Sequence, residues 1–400
     1  MSFLHLSTLK KILTPTPVKA LFIFCYLLIT VSLTCYVNGI KFLPIDYYDN
    51  VPYPRFPTVS TAETAKDLWD FGTIQRPYYE KLYHYLIFKS AASPAFAFRQ
   101  DIFTQSIDGT LLPKHPLIIS AMSAPFYGLF GNFGFWVFEQ LMLVGLIFFL
   151  YRIVKELTSI NAALLSCLVF LLGTNLILSY SYQFSYDILG CLLLISGFYY
   201  LNKSPFLAGT LLGLAIYVRM SHGLFIPFLI LACYPPSLKN FKWLKSSLLV
   251  CLGFFVVSAP FMVLNHLLFG DAVRGSYNLA PVFINGATTI DTKTINFSFD
   301  LLKNDFTKRL WDHPQSVLSI YPVLYLSLLA LPFALKSRFF WLLLCLWCSS
   351  ILTILLFFSQ GEWFHESGHR YVLPSILFIS VTNGFLFDYF LTRKSGLAKA

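Results

Sequence analysis

The stretch EWFHESGHRY, residues 362–371, brings five ionisable side chains together within ten positions. It separates two long apolar segments, FFWLLLCLWCSSILTILLFF at 339–358 and YVLPSILFISVTNGFLFDYF at 371–390. Each segment is long enough to cross about 30 Å of hydrocarbon as a helix. A charged turn this short cannot form a domain between them. The stretch therefore predicts a polytopic membrane protein with a polar turn at one membrane face.

The composition of the whole chain supports this membrane assignment. Of the 400 residues, 56% are hydrophobic and 12% are charged, whereas charged residues make up about 25% of an average soluble domain. The net charge of +10 does not indicate nucleic-acid binding, because Lys and Arg at helix ends set membrane topology. All eight cysteines lie in apolar segments, so no disulfide framework is expected.

Apolar segments of membrane-spanning character recur along the chain. With the N-terminus in the cytoplasm, every predicted cytoplasmic connection is basic, which predicts that both termini are cytoplasmic. The first segment is expected to be an uncleaved helix rather than a signal peptide. The ten predicted spans are about 18–37, 134–152, 160–179, 185–201, 205–218, 222–234, 246–267, 317–335, 339–358 and 371–391.

Two long segments, 38–133 and 268–316, are predicted to be extracytoplasmic loops of a single integral-membrane domain that covers 1–400. In the first loop, Ser60 or Thr61 is suited to cap a short helix. The stretch 116–130 is predicted to be an interfacial helix on the outer face. The expected fold class is thus an all-α polytopic membrane protein with about ten transmembrane helices and short juxtamembrane helices in its first loop.

Irregular features mark a polar region inside the membrane. Spans 205–218 and 222–234 are too short to cross comfortably and meet at VRMSHG, 218–223; broken helices at membrane depth line cavities or water. Glu139 and Asp187 lie within or at the edge of spans, where charges usually face a polar interior. For Asp187, an interfacial position at a helix end is an equal alternative.

Charged residues of both signs are predicted at the outer face. A lipid-linked sugar presents a phosphate there, which Arg and Lys would bind and stabilise as it leaves. A carboxylate would accept the proton of an acceptor hydroxyl. Arg219 and Arg370 lie on short outer turns against the usual charge bias, so each needs a partner, for which the phosphate is suited. The acidic residues are Asp46, Asp49 and Glu63, and the basic ones are Lys114, His115, Arg219, Arg274, His369 and Arg370.

Four stretches carry a resemblance to a known family. They are STAETAKDLWDFGTI (60–74), DGTLLPKHPLIISAMSAPFYGLFG (108–131), LNHLLFGDAVRGSYNL (264–279) and SGHRYVLPSILF (367–378). In this order they resemble the GT-C superfamily of polyprenyl-phosphate-sugar-dependent glycosyltransferases, in its protein-mannosyltransferase-like branch. The resemblance implies the GT-C fold and an inverting transfer of a hexosyl or pentosyl unit. The donor would be a polyprenyl-phosphate-linked sugar and the acceptor a glycan, lipid or protein. The site would face the periplasm at a bacterial inner membrane.

The resemblance also implies roles for particular residues. Glu63 is the expected catalytic carboxylate, although Ala62-Glu63 stands where relatives often carry an Asp-Glu pair. Asp46 and Asp49 are the alternatives, because they lie closer to the first span, where several GT-C enzymes carry the essential acid. The sequence establishes no cofactor and leaves a divalent metal undecided: Glu63, His115 and His369 could assemble a metal site, although they form no compact ligand motif. The expected donor-phosphate ligands are Arg370, His369, Arg219, Lys114 and His115, and the other expected cavity residues are Asp187, Glu139, Arg274 and Tyr277.

Two other functions fit parts of the pattern. A transporter or flippase of lipid-linked glycans usually shows two similar halves, and the chain contains no evident internal repeat. An O-antigen-type polymerase or ligase also has an outer loop with basic clusters, but that large loop usually comes later in the chain. The sugar and the acceptor are left open by the sequence.

Overall fold

A computed structural model describes residues 57–75, 77–92, 98–99, 103–114, 117–174, 186–233, 242–272, 279–292, 298–312, 316–359 and 371–397. The predicted first span at 18–37 and most of the stretch 362–371 lie outside these residues. The site residues that also lie outside them are Asp46, Asp49, His115, Arg274, Tyr277, His369 and Arg370.

The predicted first outer loop contains three helices and three short strands. Its elements are α1 (Pro57–Phe71), α2 (Pro77–Ala92), β1 (Phe98–Arg99), β2 (Phe103–Gln105), β3 (Leu111–Pro113) and α3 (Leu117–Phe130). The predicted short helix is confirmed as α1, but it begins at Pro57 rather than at Ser60 or Thr61. Proline suits the first turn of a helix because its ring fixes φ near the helical value and that N–H needs no helical partner.

The central part of the chain forms a series of apolar helices. Helix α7 ends where predicted, and a 3-10 turn, Met220–Leu224, separates it from α8, so the predicted break at 218–223 is confirmed. The elements are α4 (Phe133–Leu157), α5 (Ile160–Gly173), α6 (Tyr186–Tyr200), α7 (Pro205–Val218), α8 (Ile226–Cys233) and α9 (Lys242–Phe269).

The remaining elements belong to the second predicted outer loop and the C-terminal spans. They are β4 (Leu279–Ile284), β5 (Ala287–Thr292), α10 (Phe299–Thr307), α11 (Val317–Ile320), α12 (Val323–Leu335), α13 (Phe340–Phe358), α14 (Leu373–Ser380) and α15 (Asn383–Leu397). A π-helical turn, Lys308–Asp312, follows α10.

Four helices in the described residues are long and apolar enough to cross a membrane by themselves. Three are α4, α9 and α13, and the fourth is the run Leu373–Thr392 through α14 and α15. A bent pair, Phe299–Ile320 with Val323–Leu335, would make a fifth. The predicted helical membrane bundle is confirmed, and the chain is an integral membrane protein. The number of ten spans stays a prediction.

Helices α7 and α9 approach each other backbone to backbone. A Cβ atom added at Gly209 would lie 2.0 Å from the carbonyl oxygen of Val250, and one at Gly253 would lie 2.0 Å from that of Phe206. Small residues allow such close contact between membrane helices. Only 11% of the apolar window of α9 is buried inside the protein, so most of this helix is available to lipid.

The two outer loops meet in a small antiparallel sheet that the sequence did not predict. Strand β1 of the first loop pairs with β4 of the second, with Phe98 opposite Phe283, and β4 pairs with β5. Phe283 also joins a compact apolar cluster whose other buried members come from α2, β2 and β3. These members are Tyr79, Leu82, Leu86, Phe103 and Leu111. The sheet and this cluster hold the two loops together.

The helices alternate in direction, which defines two ends of the bundle. At the sheet end, the N–H of Ile107 donates to the carbonyl oxygen of Leu268 near the end of α9, at 2.8 Å. At the opposite, basic end, Lys203 forms a salt bridge with Glu156 at 2.5 Å. Which end faces the cytoplasm stays a prediction, for which the basic residues favour the second end.

Candidate functional site

Buried charges concentrate at the sheet end of the bundle. Five Lys, Arg, Asp or Glu residues in the described ranges are buried, and four of them precede residue 220: Lys114, Glu139, Asp187 and Arg219. Lys114 follows β3, Glu139 lies in the second turn of α4, Asp187 is the second residue of α6, and Arg219 directly follows α7. A buried charge is costly unless it is compensated. This end is therefore the candidate site.

Arg219 and Asp187 form a buried ion pair. Both Nε and Nη2 of Arg219 contact Oδ1 of Asp187, and the two side chains are 5% and 2% exposed. The pair forms because α6 and α7 are in contact and antiparallel: Gly190 packs against Val218, and Gly197 packs against Leu212. The sequence interpretation expected donor phosphate to compensate Arg219, whereas Asp187 already does so. Asp187 lies at the start of α6, and its side chain is buried in the protein; whether this helix end lies at the membrane interface stays a prediction.

Two tyrosine rings enclose the same guanidinium. The Cζ atom of Arg219 lies 4.2 Å from the ring centroid of Tyr371 and 5.0 Å from that of Tyr186. A cation over an aromatic face is stabilised by the ring quadrupole. Tyr371 in turn stacks on Phe357, with ring centroids 5.1 Å apart and an interplanar angle of 15°. Because Tyr371 directly follows Arg370 in the chain, the charged stretch 362–371 ends against Arg219.

His222 packs against α6 near the ion pair. The sequence interpretation gave this residue no role. It is buried in the 3-10 turn, and its Nδ1 lies 3.0 Å from the carbonyl oxygen of Ala215. Its ring packs on Gly190, where a Cβ atom would come within 2.3 Å of His222 Cε1. Gly190 is three residues after Asp187, so His222 packs beside the turn of α6 that carries this carboxylate. The available signal was the position of His222 within VRMSHG.

Glu63, the expected catalytic carboxylate, projects from α1. Its Oε1 lies 3.0 Å from Nζ of Lys66, and the carboxylate side chain is 21% exposed. Helix α1 packs on α3, where the hydroxyl of Ser120 donates to the carbonyl oxygen of Thr61 at 2.8 Å. Lys114 is buried at the entrance to α3. The structure thus brings the helix of Glu63 beside α3, and it gives Glu63 a neighbouring cation that the sequence interpretation did not consider.

The described residues do not test the possible metal site. Among them, no group of three or more His, Cys, Asp or Glu side chains is close enough to hold a metal ion. Of the proposed set of Glu63, His115 and His369, only Glu63 lies within the described ranges. The divalent metal stays a possibility raised by the sequence.

The second outer loop anchors the end of α13 from which the charged stretch departs. Arg309, fully buried in the π-helical turn, donates from Nη1 to the carbonyl oxygen of Phe358 at 2.5 Å and contacts Asp305 at 3.3 Å. The N–H of Ser298 donates to the carbonyl oxygen of Ser359 at 3.0 Å. Sequence reasoning missed Arg309, because a single basic residue in a long outer loop carries no topological signal.

The helical bundle with its small outer layer has the GT-C fold, as the resemblance predicted. Residues 114–264 match the family described as dolichyl-phosphate-mannose-protein mannosyltransferase. This matched segment is less than half of the chain, and it contains Lys114, Glu139, Asp187 and Arg219.

A solved structure supports the fold over most of the chain. The chain is similar to ArnT from Cupriavidus metallidurans, in a crystal structure bound to undecaprenyl phosphate, with a TM-score of 0.52 and 11% sequence identity. The similarity covers 91% of this chain and 60% of that one, so the chain spans about 60% of the ArnT chain. At this identity the similarity establishes the fold alone. A search of curated protein sequences gives no significant match.

Proposed function

We propose that the protein is an inverting glycosyltransferase that moves a hexosyl or pentosyl unit from a polyprenyl-phosphate-linked donor to an acceptor. The observation that carries this proposal is the buried Arg219–Asp187 pair, which lies at the sheet end within the family-matched segment. The undecaprenyl phosphate bound to the similar ArnT structure supports a polyprenyl phosphate as the lipid. The proposed location is a bacterial inner membrane, with the sheet end facing the periplasm.

Arg219 is the proposed centre of the donor-phosphate site. Its guanidinium is held in place before the ligand arrives, by Asp187 on one side and by the rings of Tyr186 and Tyr371 on the other. Arginine meets phosphate through a planar fork of N–H donors that lysine does not have. The phosphate would bind beside this ion pair, against the guanidinium of Arg219. Preorganised cations of this kind favour a transition state in which negative charge grows on the leaving group.

The other phosphate ligands would come from two places near Arg219. His369 and Arg370 belong to the charged stretch that ends at Tyr371, whose ring lies on Arg219. Lys114 and His115 lie at the start of α3. These four residues are the further proposed ligands of the donor phosphate. Glu139, Arg274 and Tyr277 would line the remaining cavity.

Glu63 is the proposed general base, with Asp46 and Asp49 as alternatives. The carboxylate would accept the proton of the acceptor hydroxyl while the acceptor oxygen bonds to the anomeric carbon. The bond between that carbon and the phosphate oxygen breaks, and its electron pair leaves with polyprenyl phosphate. Lys66, 3.0 Å from Oε1 of Glu63, would fix the orientation of the carboxylate. Attack from the side opposite the phosphate inverts the anomeric configuration.

Release of the lipid phosphate is the direct test. Purified protein in detergent is incubated with a polyprenyl-phosphate sugar that carries a radiolabel in the lipid and with an acceptor mixture of oligosaccharides, glycolipids and peptides, and free polyprenyl phosphate is measured. We expect release by the wild type and little release by Arg370→Lys, a variant that should keep the fold. A wild type that releases none, but moves the intact labelled lipid across a liposome bilayer, would overturn the proposal in favour of a flippase.

A further inference from the structure

A groove of about 550 Å³ lies between elements of the first predicted outer loop, and neither Arg219 nor Asp187 lines it. Its walls are α2, the hairpin of β2 and β3, and the connection from α1 to α2. The side chains that matter for recognition are Gln75, Glu80, Tyr83, His84, Gln105 and Asp108. Among the lining residues that the structure describes, none is Lys or Arg. The groove is thus polar, partly aromatic and acidic.

We propose that this groove binds the acceptor and that the acceptor is an oligosaccharide without negative charge. Carboxylates and side-chain amides offer paired acceptors and donors in a plane, which suits the neighbouring hydroxyls of a sugar. An aromatic ring provides an apolar face for the C–H groups of a pyranose. Two carboxylates, those of Glu80 and Asp108, with no Lys or Arg among the described lining residues, disfavour phosphorylated or otherwise anionic ligands. The assignment as an acceptor site rests on the proposed transferase function, whereas sugar binding does not.

The aromatic wall is held rigid by contacts outside the groove. The ring centroid of Tyr83 lies 5.5 Å from that of Phe283, in an edge-to-face arrangement, and 6.4 Å from that of Phe103. Phe283 and Phe103 belong to the apolar cluster of the outer layer. His84 lies 5.8 Å from Tyr83 in an edge-to-face arrangement and is exposed to solvent. A preformed wall reduces the ordering cost of binding.

The acidic wall is also preformed. Asp108 accepts hydrogen bonds from the hydroxyl of Ser106 and, at 3.1 Å, from the N–H of Thr110. The Ser106 hydroxyl is the main reason why the pKa of Asp108 is lowered below 3.8, so this carboxylate is charged at neutral pH. Gly109, with a φ of 86°, completes the turn, and Nε2 of Gln105 donates to its carbonyl oxygen at 3.3 Å.

The chain connects this groove to the proposed reaction site. Leu111 lines the groove and begins β3, which ends at Pro113, directly before Lys114. A strand of three residues spans about 10 Å, which is the length of roughly two sugar units. The helix of Glu63, α1, also packs on β3. An oligosaccharide in the groove would therefore extend along β3 toward Lys114 and Glu63.

Sugar binding is tested first without any reaction. The full-length protein in detergent is examined by saturation-transfer difference NMR with maltotetraose, chitotetraose and mannotetraose, each up to 10 mM. We expect signals from at least one tetrasaccharide. The double variant Glu80→Gln/His84→Ala changes two exposed side chains, so it should keep the wild-type Tm and weaken binding at least fivefold. Tyr85→Ala, on the same helix but outside the groove, is the matched control and should bind normally.

The second measurement links the groove to transfer. The tetrasaccharide with the strongest NMR signal is added to the labelled donor, and release of polyprenyl phosphate is followed. The double variant should raise the tetrasaccharide concentration for half-maximal release at least fivefold, with the donor KM unchanged.

The outcomes separate this proposal from the proposed function. Tetrasaccharide binding that depends on Glu80 and His84, in a protein that releases no lipid phosphate, would keep the sugar groove and refute the transferase. Lipid release with no tetrasaccharide binding, or with binding that the double variant leaves unchanged, would refute the groove. The saturation-transfer signals of the tetrasaccharide could also be lost on addition of tetralysine but not on addition of an excess of a second tetrasaccharide. That result would refute the sugar groove in favour of a site for a cationic ligand.

Discussion

The guanidinium of Arg309 donates a hydrogen bond to the main-chain carbonyl oxygen of Phe358, the last residue of α13, at 2.5 Å. The last carbonyl groups of a helix have no partner within the helix, and a cation there is favoured by the helix dipole. The charged stretch at 362–371 begins only four residues later. Arg309 therefore acts as a positioning residue that fixes one end of this stretch, while Tyr371, stacked on Phe357, holds the other.

Replacement of Arg309 by methionine should destabilise the protein. It removes the hydrogen bond to Phe358 and leaves Asp305 without this cation, for an expected loss of about 3 kcal/mol, as for other broken buried pairs. The measurement is thermal unfolding in detergent. Lys303→Met, at an exposed position of α10, is the control and should stay near wild type. Equal Tm values for the two variants would show that Arg309 does not hold α13.

The Arg219–Asp187 pair should behave as a coupled unit. Asp187→Leu alone leaves a buried guanidinium, and Arg219→Met alone leaves a buried carboxylate, so each should cost about 3–5 kcal/mol. The double variant should cost clearly less than the sum of the two. The comparison is a double-mutant cycle with Lys203→Met and Glu156→Leu, at an exposed ion pair of the basic end. Its interaction free energy should be below about 1 kcal/mol. Simple additivity at Arg219 and Asp187 would contradict the pair.

Stabilisation by the lipid shows whether Arg370 and Arg219 bind its phosphate or only stabilise the fold. Undecaprenyl phosphate should stabilise the wild type, by about 2.7 kcal/mol at a concentration 100-fold above its Kd. Arg370→Lys should keep the fold but lose the stabilisation by the lipid and most of the turnover. Lysine lacks the planar, paired N–H donors with which arginine binds a phosphate. Arg219→Lys should lose less. Arg338→Lys, at an exposed position before α13, is the control. An Arg370→Lys protein that is still stabilised by the lipid and still turns over would show that Arg370 only anchors the turn.

Glu63→Gln should lower turnover by about 100-fold or more, as expected for a missing general base. Glutamine keeps the size of the side chain and its hydrogen bonding, so the Tm should change little. Turnover with the labelled donor is measured beside Glu156→Gln, a control at the basic end of α4. Near-normal activity of Glu63→Gln would show that Glu63 is not the general base and would indicate Asp46 or Asp49 instead.

The sequence alone was sufficient for the features that depend on local composition. The apolar runs at 205–218 and 339–358 are helices close to their predicted bounds, because a backbone in lipid must satisfy its hydrogen bonds within the segment. The helix within 116–130 and the break at VRMSHG also follow from local sequence, because one apolar run is short and the two runs that meet at VRMSHG are each too short to cross a membrane. The GT-C fold could be expected from four short motifs in order, since each motif is local.

Only the tertiary structure decided which distant groups meet. Asp187 and Arg219 lie 32 positions apart and pair because α6 and α7 are antiparallel. Arg309 reaches Phe358 across 49 positions, and Phe98 lies opposite Phe283 in the sheet that joins the two outer loops. A buried charge must find a partner, but its own sequence context does not say which one. That choice is made by the packing directions of whole helices and strands, which no single segment encodes.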